Sequence, residues 1–594
     1  MNPESLQCFS QYVPMSDNVR LAVSYWPPKQ ISKKTPAVLI TTRYWRAAEY
    51  RGDNLQSQVY YPLADYLFRR GYILVVADAR GTGASFGTRA AETDCKEVAD
   101  IPEIIDWVGH QSWCDGSVAT CGTSYSAITT LYSLMQAPDA LRMAVCRAPD
   151  FDMYRHLFAP GGVINQWFIQ SWGAVTAAQD NNDTEALFAN GYWPSPKEGN
   201  SELVGVLPVD KDVRNNFLAT AISEHNNNFN IAAAPSLNYI EDFISEKNPP
   251  LYSEANLAAL KANKIPLIVH CGWHDAATAL GALALAMSAK THVTVILGPW
   301  NHEGSYLVDP FYSDSEDSAL PMAADYAMKV RTDALDMVFK PSGRIEPQGQ
   351  RVNAALIQYF TLGENHWKTT CEWPLPETDM QRWYFAANRA LSNSSPSEPE
   401  GAETYWVDPT ATTGVFNRWH AQSPNQPIYF PDRREEDKKL VVFDSPVLAQ
   451  DTEITGSPVV TLFVSSSAHD GYFFIYLEHV DERGQVRLLT EGQLRGLHRK
   501  VSKDLPPYPM FGPFHSLMKK DAAPIVPDEI FTLSFDLLPI SVLLKKGHRI
   551  RVAIAGADKD TFAPLPGCES PTLVVERNSR YPSFIDLPII NRAG

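Results

Sequence analysis

Cys121-Gly122-Thr123-Ser124-Tyr125-Ser126 follows a short β-type run, Ser117-Val118-Ala119-Thr120, and opens a helical pattern, Ala127 through Met135. A serine on a sharp strand-to-helix turn is how an α/β-hydrolase holds up its nucleophile. Gly122 lets the backbone turn tightly where a Cβ would collide. The helix that starts there offers free N–H groups and a positive dipole end to a developing oxyanion. Gly-x-Ser is a common triplet, however, and Ser126 stands where the second glycine of the usual motif belongs. An ordinary glycine turn before a helix competes with the catalytic reading until partners for the serine are found.

A serine hydroxyl is a poor nucleophile at neutral pH. It needs a base within hydrogen-bond reach, and the base needs an orienting acid. In α/β-hydrolases the chain order is serine, acid, histidine, each on a loop after a strand. Ile265-Pro266-Leu267-Ile268-Val269-His270 reads as a buried parallel strand and runs into Gly272-Trp273-His274-Asp275. The next strand, His292-Val293-Thr294-Val295-Ile296-Leu297, runs into Gly298-Pro299-Trp300-Asn301-His302. Two consecutive strand–loop units thus deliver Asp275 and then His302, in the required order.

His270 and His274 compete for attention because four residues separate them. On a helix that spacing would bring two metal ligands together, but this segment reads strand then loop, so they do not share a helical face. They are expected to be structural. No Cys-x-x-Cys or His-Glu-x-x-His pattern occurs, so no metal is expected. Gly81 and Gly83 follow the strand Tyr72-Ile73-Leu74-Val75-Val76, yet Phe86 occupies the place of the third glycine of a dinucleotide loop. The fingerprint fails and no cofactor is implied.

These motifs together resemble the cocaine-esterase and X-Pro dipeptidyl-peptidase (CocE/NonD) family of serine hydrolases, over nearly the whole chain. The family's elbow, Gly-x-Ser-Tyr-x-Gly, is met by Gly122-Thr123-Ser124-Tyr125-Ser126-Ala127, with Ala127 replacing the last glycine. Its Asp-x-Arg-Gly-x-Gly-x-Ser-x-Gly stretch matches Asp78-Ala79-Arg80-Gly81-Thr82-Gly83-Ala84-Ser85-Phe86-Gly87. Trp113-Cys114-Asp115-Gly116 and Gly298-Pro299-Trp300-Asn301-His302 also fit. The resemblance implies Ser124 as nucleophile, Asp275 as orienting acid and His302 as base. It implies an oxyanion hole made by the backbone N–H of Tyr125 and by a tyrosine hydroxyl after the first long strand, here Tyr44 in Ala37-Val38-Leu39-Ile40-Thr41-Thr42-Arg43-Tyr44. A phenol donates well and stays protonated near neutral pH. Trp172 falls where such an enzyme places an acyl-pocket tryptophan. With the cap aromatics Phe158, Trp167 and Phe168, and with Trp273 on the acid loop, it makes up the candidate substrate-binding set. The amino-acid-ester branch of the family holds a substrate ammonium with clustered acids, but Asp275 is followed by Ala276-Ala277-Thr278.

The chain has 594 residues, too many for one core. Its net charge of −17 argues against nucleic acid or an anionic membrane as partner. No apolar run reaches membrane-spanning length. The start, Met1-Asn2-Pro3-Glu4-Ser5-Leu6-Gln7, does not read as a signal peptide. Eight cysteines without paired spacing fit reduced thiols and a cytoplasmic protein.

The expected fold class is α/β: an α/β-hydrolase domain over residues 1–148 and 254–345, a helical cap inserted at 149–253, and a C-terminal all-β jelly-roll β-sandwich over 350–594. The third part rests on short alternating strands such as Val459-Val460-Thr461-Leu462-Phe463-Val464. Glu92, Asp94, Glu97, Asp100, Glu103 and Asp106 read as a solvated helix face. The function expected is hydrolysis of small or aromatic acyl esters through an acyl-enzyme on Ser124. An amidase or peptidase of the same family is the alternative, and a non-catalytic binding protein a distant third. A small-molecule ester or amide is the expected partner. The sequence leaves a homo-oligomer open.

Overall fold

The computed structural model describes residues 6–591 apart from 28–32, 52–59, 191–196, 199–200, 213, 235, 290–291, 313, 316–319, 324, 341–353, 423–426 and 569. The runs Ile73–Asp78 and Leu267–Gly272 are buried at every position, as strands covered on both faces must be. They belong to a ten-stranded sheet. Its strands are β1 (Phe9–Pro14), β2 (Arg20–Tyr25), β3 (Thr35–Thr42), β4 (Ile73–Asp78), β5 (Cys114–Thr123), β6 (Leu141–Arg147), β7 (Leu267–Gly272), β8 (Val293–Gly298), β9 (Leu356–Thr361) and β10 (His366–Thr370). The spatial order is β1-β2-β4-β3-β5-β6-β7-β8-β9-β10. From β4 to β9 every pairing is parallel, and antiparallel strands close both edges.

A parallel sheet aligns all its carboxyl ends on one rim, where ligands bind. Ser124 lies just beyond β5, Asp275 beyond β7 and His302 beyond β8. The cap enters between β6 and β7. Its main helix, Gln166–Asp180, is capped by Asn165, whose side chain accepts from the Phe168 N–H at 3.1 Å. The cap is helical for the most part, but its strand Ser201–Val206 pairs with Ala48–Arg51 of the hydrolase domain.

Thirteen strands between Thr378 and Ile590 form a second β network, the all-β C-terminal sandwich. Val459–Ser466 and Thr572–Glu576 alternate buried and partly exposed residues, as half-covered strands do. One apolar core runs from the parallel sheet (Val75, Leu131, Val269) into the sandwich (Phe443, Ile475, Ile554). The junction is also hydrogen-bonded, with Thr361 and Ser541 hydroxyls 2.9 Å apart.

Two sequence expectations change here. The β9 and β10 strands belong to the hydrolase sheet, although the sequence assigned them to the jelly roll. The residues at 345 and 350 where that boundary was drawn lie outside the described residues. The β9 strand alternates buried and half-buried residues, which reads as a sandwich strand even though it lies near the edge of a mainly parallel sheet. The acidic series is also not a solvated face. Glu92, Asp94, Glu97 and Asp100 are buried; only Glu103 and Asp106 are partly or fully exposed. Arg43 meets Glu92 at 3.1 Å, Arg89 meets Glu97 at 3.3 Å and Arg80 meets Asp100 at 2.5 Å. Asp94 caps its helix by accepting from Lys96 N. Arg43 and Arg80, 49 and 20 residues from their carboxylates, reach them only through the fold, and Arg89 in the loop before the helix does the same for Glu97, so helix charge patterning could not show it.

Candidate active site

Ser124 occupies the sharp turn between β5 and the helix Tyr125–Gln136, with φ 59° and ψ −125°. A serine at positive φ costs about 1–3 kcal/mol and persists only where its surroundings impose it. Here the Ser124 N–H donates to the Arg147 carbonyl at the end of β6 at 3.0 Å. Its own carbonyl accepts from Ala127 N at 2.8 Å. A Cβ on Gly122 would collide with the Ser126 backbone, so the first glycine of the elbow is required by close approach. Ala127 is fully buried without displacing the turn.

His302 Nδ1 faces both carboxylate oxygens of Asp275, at 2.9 and 3.0 Å. Both side chains are buried. Thr278 donates to Asp275 Oδ2 at 3.2 Å. Burial alone would lower the His302 pKa, but the Asp275 charge and hydrogen bond outweigh it and raise the value to about 9. Arg147 joins the two halves. Its carbonyl holds Ser124 N, while its Nε donates to the His302 carbonyl at 3.1 Å. Gly304, at φ +68°, gives the guanidinium room, since a Cβ there would collide with it.

The Tyr44 hydroxyl lies 3.3 Å from Ser124 Oγ. The Tyr125 backbone N–H also points to the Tyr44 oxygen, so both sequence-predicted oxyanion donors converge beside the serine. Burial pushes the Tyr44 pKa well above its ordinary value, against the partial relief of the Ser124 hydrogen bond, so the phenol keeps its proton. The Tyr125 hydroxyl turns the other way, donating to Glu97 and accepting from Arg89 at 2.7 Å. That anchors the ring and leaves the backbone N–H for the site.

The proposed pocket aromatics divide. Trp172 packs edge-on against Tyr44 at 5.7 Å, stacks on Phe168 at 5.6 Å and is only partly buried. Its indole N–H has no partner among the described residues. Trp167 stacks on His420 of the sandwich at 3.8 Å. Phe158 is fully buried against Phe168 and Phe243, a core side chain. Trp273 is likewise core. Its indole donates to the Phe360 carbonyl at 2.8 Å and its ring faces Trp373, so neither of these two walls a pocket at Ser124. His270 and His274 are buried, and burial drives both pKa values down to about 3. His274 Nε2 donates to the Leu489 carbonyl at 2.8 Å.

Two contributors escaped sequence reading. Gln422, from the C-terminal half, donates to Asp275 Oδ1 at 3.0 Å. Nearby, the Arg418 carbonyl accepts from Ala276 N at 2.9 Å. No motif marks these residues; only the docking of the sandwich on the sheet brings them to the acid. The second is Asp150, three residues beyond β6. It is buried, its Oδ1 has no hydrogen-bond partner, and burial raises its pKa to about 7 against the opposing pull of His302.

Comparison with known proteins gives the family of the chain. The model described as X-Pro dipeptidyl-peptidase (S15 family) matches residues 17–304. That of the X-Pro dipeptidyl-peptidase C-terminal non-catalytic domain matches 345–585. A Mycobacterium bovis protein named as a candidate serine esterase is 36% identical, over 98% of this chain and 95% of its own. The chain belongs to the CocE/NonD, X-Pro dipeptidyl-peptidase-like family of serine hydrolases. Cocaine esterase of a Rhodococcus species is 24% identical over 98% of each chain. An aminopeptidase from a Thaumarchaeota archaeon shares the fold, with TM-score 0.71 at 19% identity, over 99% of this chain and 97% of that one.

Proposed function

We propose that this serine hydrolase cleaves carboxylic esters with small or aromatic acyl groups, using Ser124 as nucleophile, His302 as base and Asp275 as orienting acid. The observation that carries the proposal is the pairing of the Ser124 elbow with the His302–Asp275 dyad through Arg147. Neutral His302 takes the Ser124 proton through Nε2 as Oγ attacks the ester carbonyl. Asp275 holds Nδ1–H and stabilises the imidazolium. Tyr44 O–H and Tyr125 N–H donate to the oxyanion. Collapse expels the alcohol with the proton from His302. Water then attacks the acyl-enzyme by the same route and frees the acid. The half-buried Trp172 ring beside Tyr44 supports an acyl pocket for flat or short groups.

Relatives named as cocaine esterase and as a candidate serine esterase favour ester over amide. A dipeptidyl-peptidase must in addition hold a free ammonium, and Ala276-Ala277-Thr278 after the acid offers no carboxylate for it. The deciding experiment compares p-nitrophenyl acyl esters of increasing chain length with Gly-Pro and Ala-Pro anilides. Ester turnover without anilide cleavage is the expected result; faster cleavage of the anilides would replace this reading with the peptidase one. We also propose a cytoplasmic location and a small-molecule ester or amide as the substrate partner. The eight cysteines, all free, support a reducing compartment.

A further inference from the structure

A cavity lies away from Ser124. It occupies about 780 Å³, its open mouth included, between the start of the cap, the helix Thr278–Ala289 and the sandwich. Its walls are mainly apolar, formed by Leu280, Leu494, Met510, Phe511, Leu517 and Leu538. None of Ser124, His302, Tyr44 or Trp172 lines it. The outer wall is a loop rich in proline, including Pro509 and Pro513, which is stiff without regular hydrogen bonding.

The charges around this cavity do not cancel. Arg155 on its wall is bound to Asp152 Oδ2 at 2.8 Å and to the Ser516 carbonyl at 3.0 Å. Tyr508 donates to the same Asp152 oxygen at 2.8 Å. His156 is kept neutral near pH 7, since burial lowers its pKa to about 4. His515 is also lowered by burial, and its ring nitrogens face the carbonyls of Ser534 and Lys500. Asp536 remains. Its carboxylate lines the cavity and makes no ion pair or hydrogen bond with another described residue. Gly512 allows the proline-rich loop to pass close over it, where a Cβ would collide with the carboxylate. Burial raises the Asp536 pKa to about 6, so it is anionic at pH 8.

An apolar chamber with one uncompensated carboxylate favours a ligand with a hydrocarbon body and a single positive charge. The apolar walls supply affinity by area, while the unpaired, half-buried carboxylate selects the sign of the ligand. We propose that this cavity is a second ligand site, for a hydrophobic monocation of the aryl- or alkyl-ammonium class, with its charge on Asp536 and its body against Leu280, Met510 and Phe511. The inference is independent of which bond Ser124 cleaves.

The test is calorimetric titration of the full chain at pH 8 with phenylbutylamine, protonated at that pH, and with phenylbutanol, its uncharged counterpart. The amine is expected to bind at least tenfold more tightly than the alcohol. Asp536→Asn should weaken the amine by tenfold or more and leave the alcohol unchanged. Met510→Trp, which fills the chamber, should abolish binding of both. Both variants should keep ester turnover within about twofold, and the amine should leave the KM for p-nitrophenyl acetate unchanged. The proposal is overturned if the amine fails to bind, if amine and alcohol bind equally, if Met510→Trp binds the amine as the wild type does, or if the amine competes with the ester.

Discussion

Between β5 and β8 the parallel sheet presents Ser124, Asp150, Asp275 and His302 from successive strand ends, each a few residues beyond a buried strand. The sandwich reaches the same place differently. Gln422 comes from a short 3-10 turn, His420–Gln422, and Arg418 from the loop just before it, and they touch the acid and the backbone beside it. The proposed nucleophile, acid and base, with Asp150 beside them, come from a repeating topology that aligns strand ends by construction. The supporting groups come from a docked surface that must be positioned by packing. Losses in the first region should therefore appear in the chemical step, and losses in the second in the tuning of His302.

Ser124→Ala should break the first region most severely, lowering kcat on a p-nitrophenyl ester by about 10⁶-fold while thermal unfolding stays close to wild type. Retention of more than about one per cent of turnover would remove Ser124 from the mechanism. Tyr44→Phe comes next. It deletes one oxyanion donor and nothing else, so kcat should fall about 10²- to 10³-fold with KM little changed. An unchanged kcat would leave Tyr125 N–H as the working donor and Tyr44 as packing.

The pH profile follows from the raised pKa of His302. The base must be neutral, so kcat/KM should rise about tenfold per pH unit from pH 7 and level off near 9. Asp275, Glu303 and Asp150 all favour the protonated ring, and Asp150 adds its charge only above its own value of about 7. A plateau already reached near the ordinary histidine value of about 6.5 would show that the dyad does not hold the proton this way. The smallest effect is expected at the sandwich. Gln422→Leu removes one hydrogen bond to the Asp275 carboxylate, with a loss of about fivefold in kcat and a displaced rising limb of the pH profile. A loss confined to thermal stability would make Gln422 purely structural.

Much of this site was legible because its signals are local. The elbow is a contiguous motif, and the acid and base each lie a few residues beyond a short, mainly apolar strand. Tyr44 came from the resemblance, because no local rule marks a tyrosine after a strand as a donor. The pocket aromatics were legible only as aromatic. Composition and spacing give Trp172 and Phe158 the same reading, and only the family resemblance singles out Trp172; in the fold Trp172 faces Tyr44 and Phe158 lies in the core.

The sequence by itself determined the parallel sheet, the strand-to-helix turn at Ser124 and the order of acid and base, because hydrophobic runs, glycines and short loops act over a few residues. Tertiary structure alone decided what neutralises Glu92, Glu97 and Asp100, where β9 and β10 belong, and how Gln422 meets Asp275. Apart from the nearby Arg89–Glu97 pair, each of those depends on chain segments far apart in sequence. Charge pairing and packing act through space and leave no spacing in the chain by which to read them.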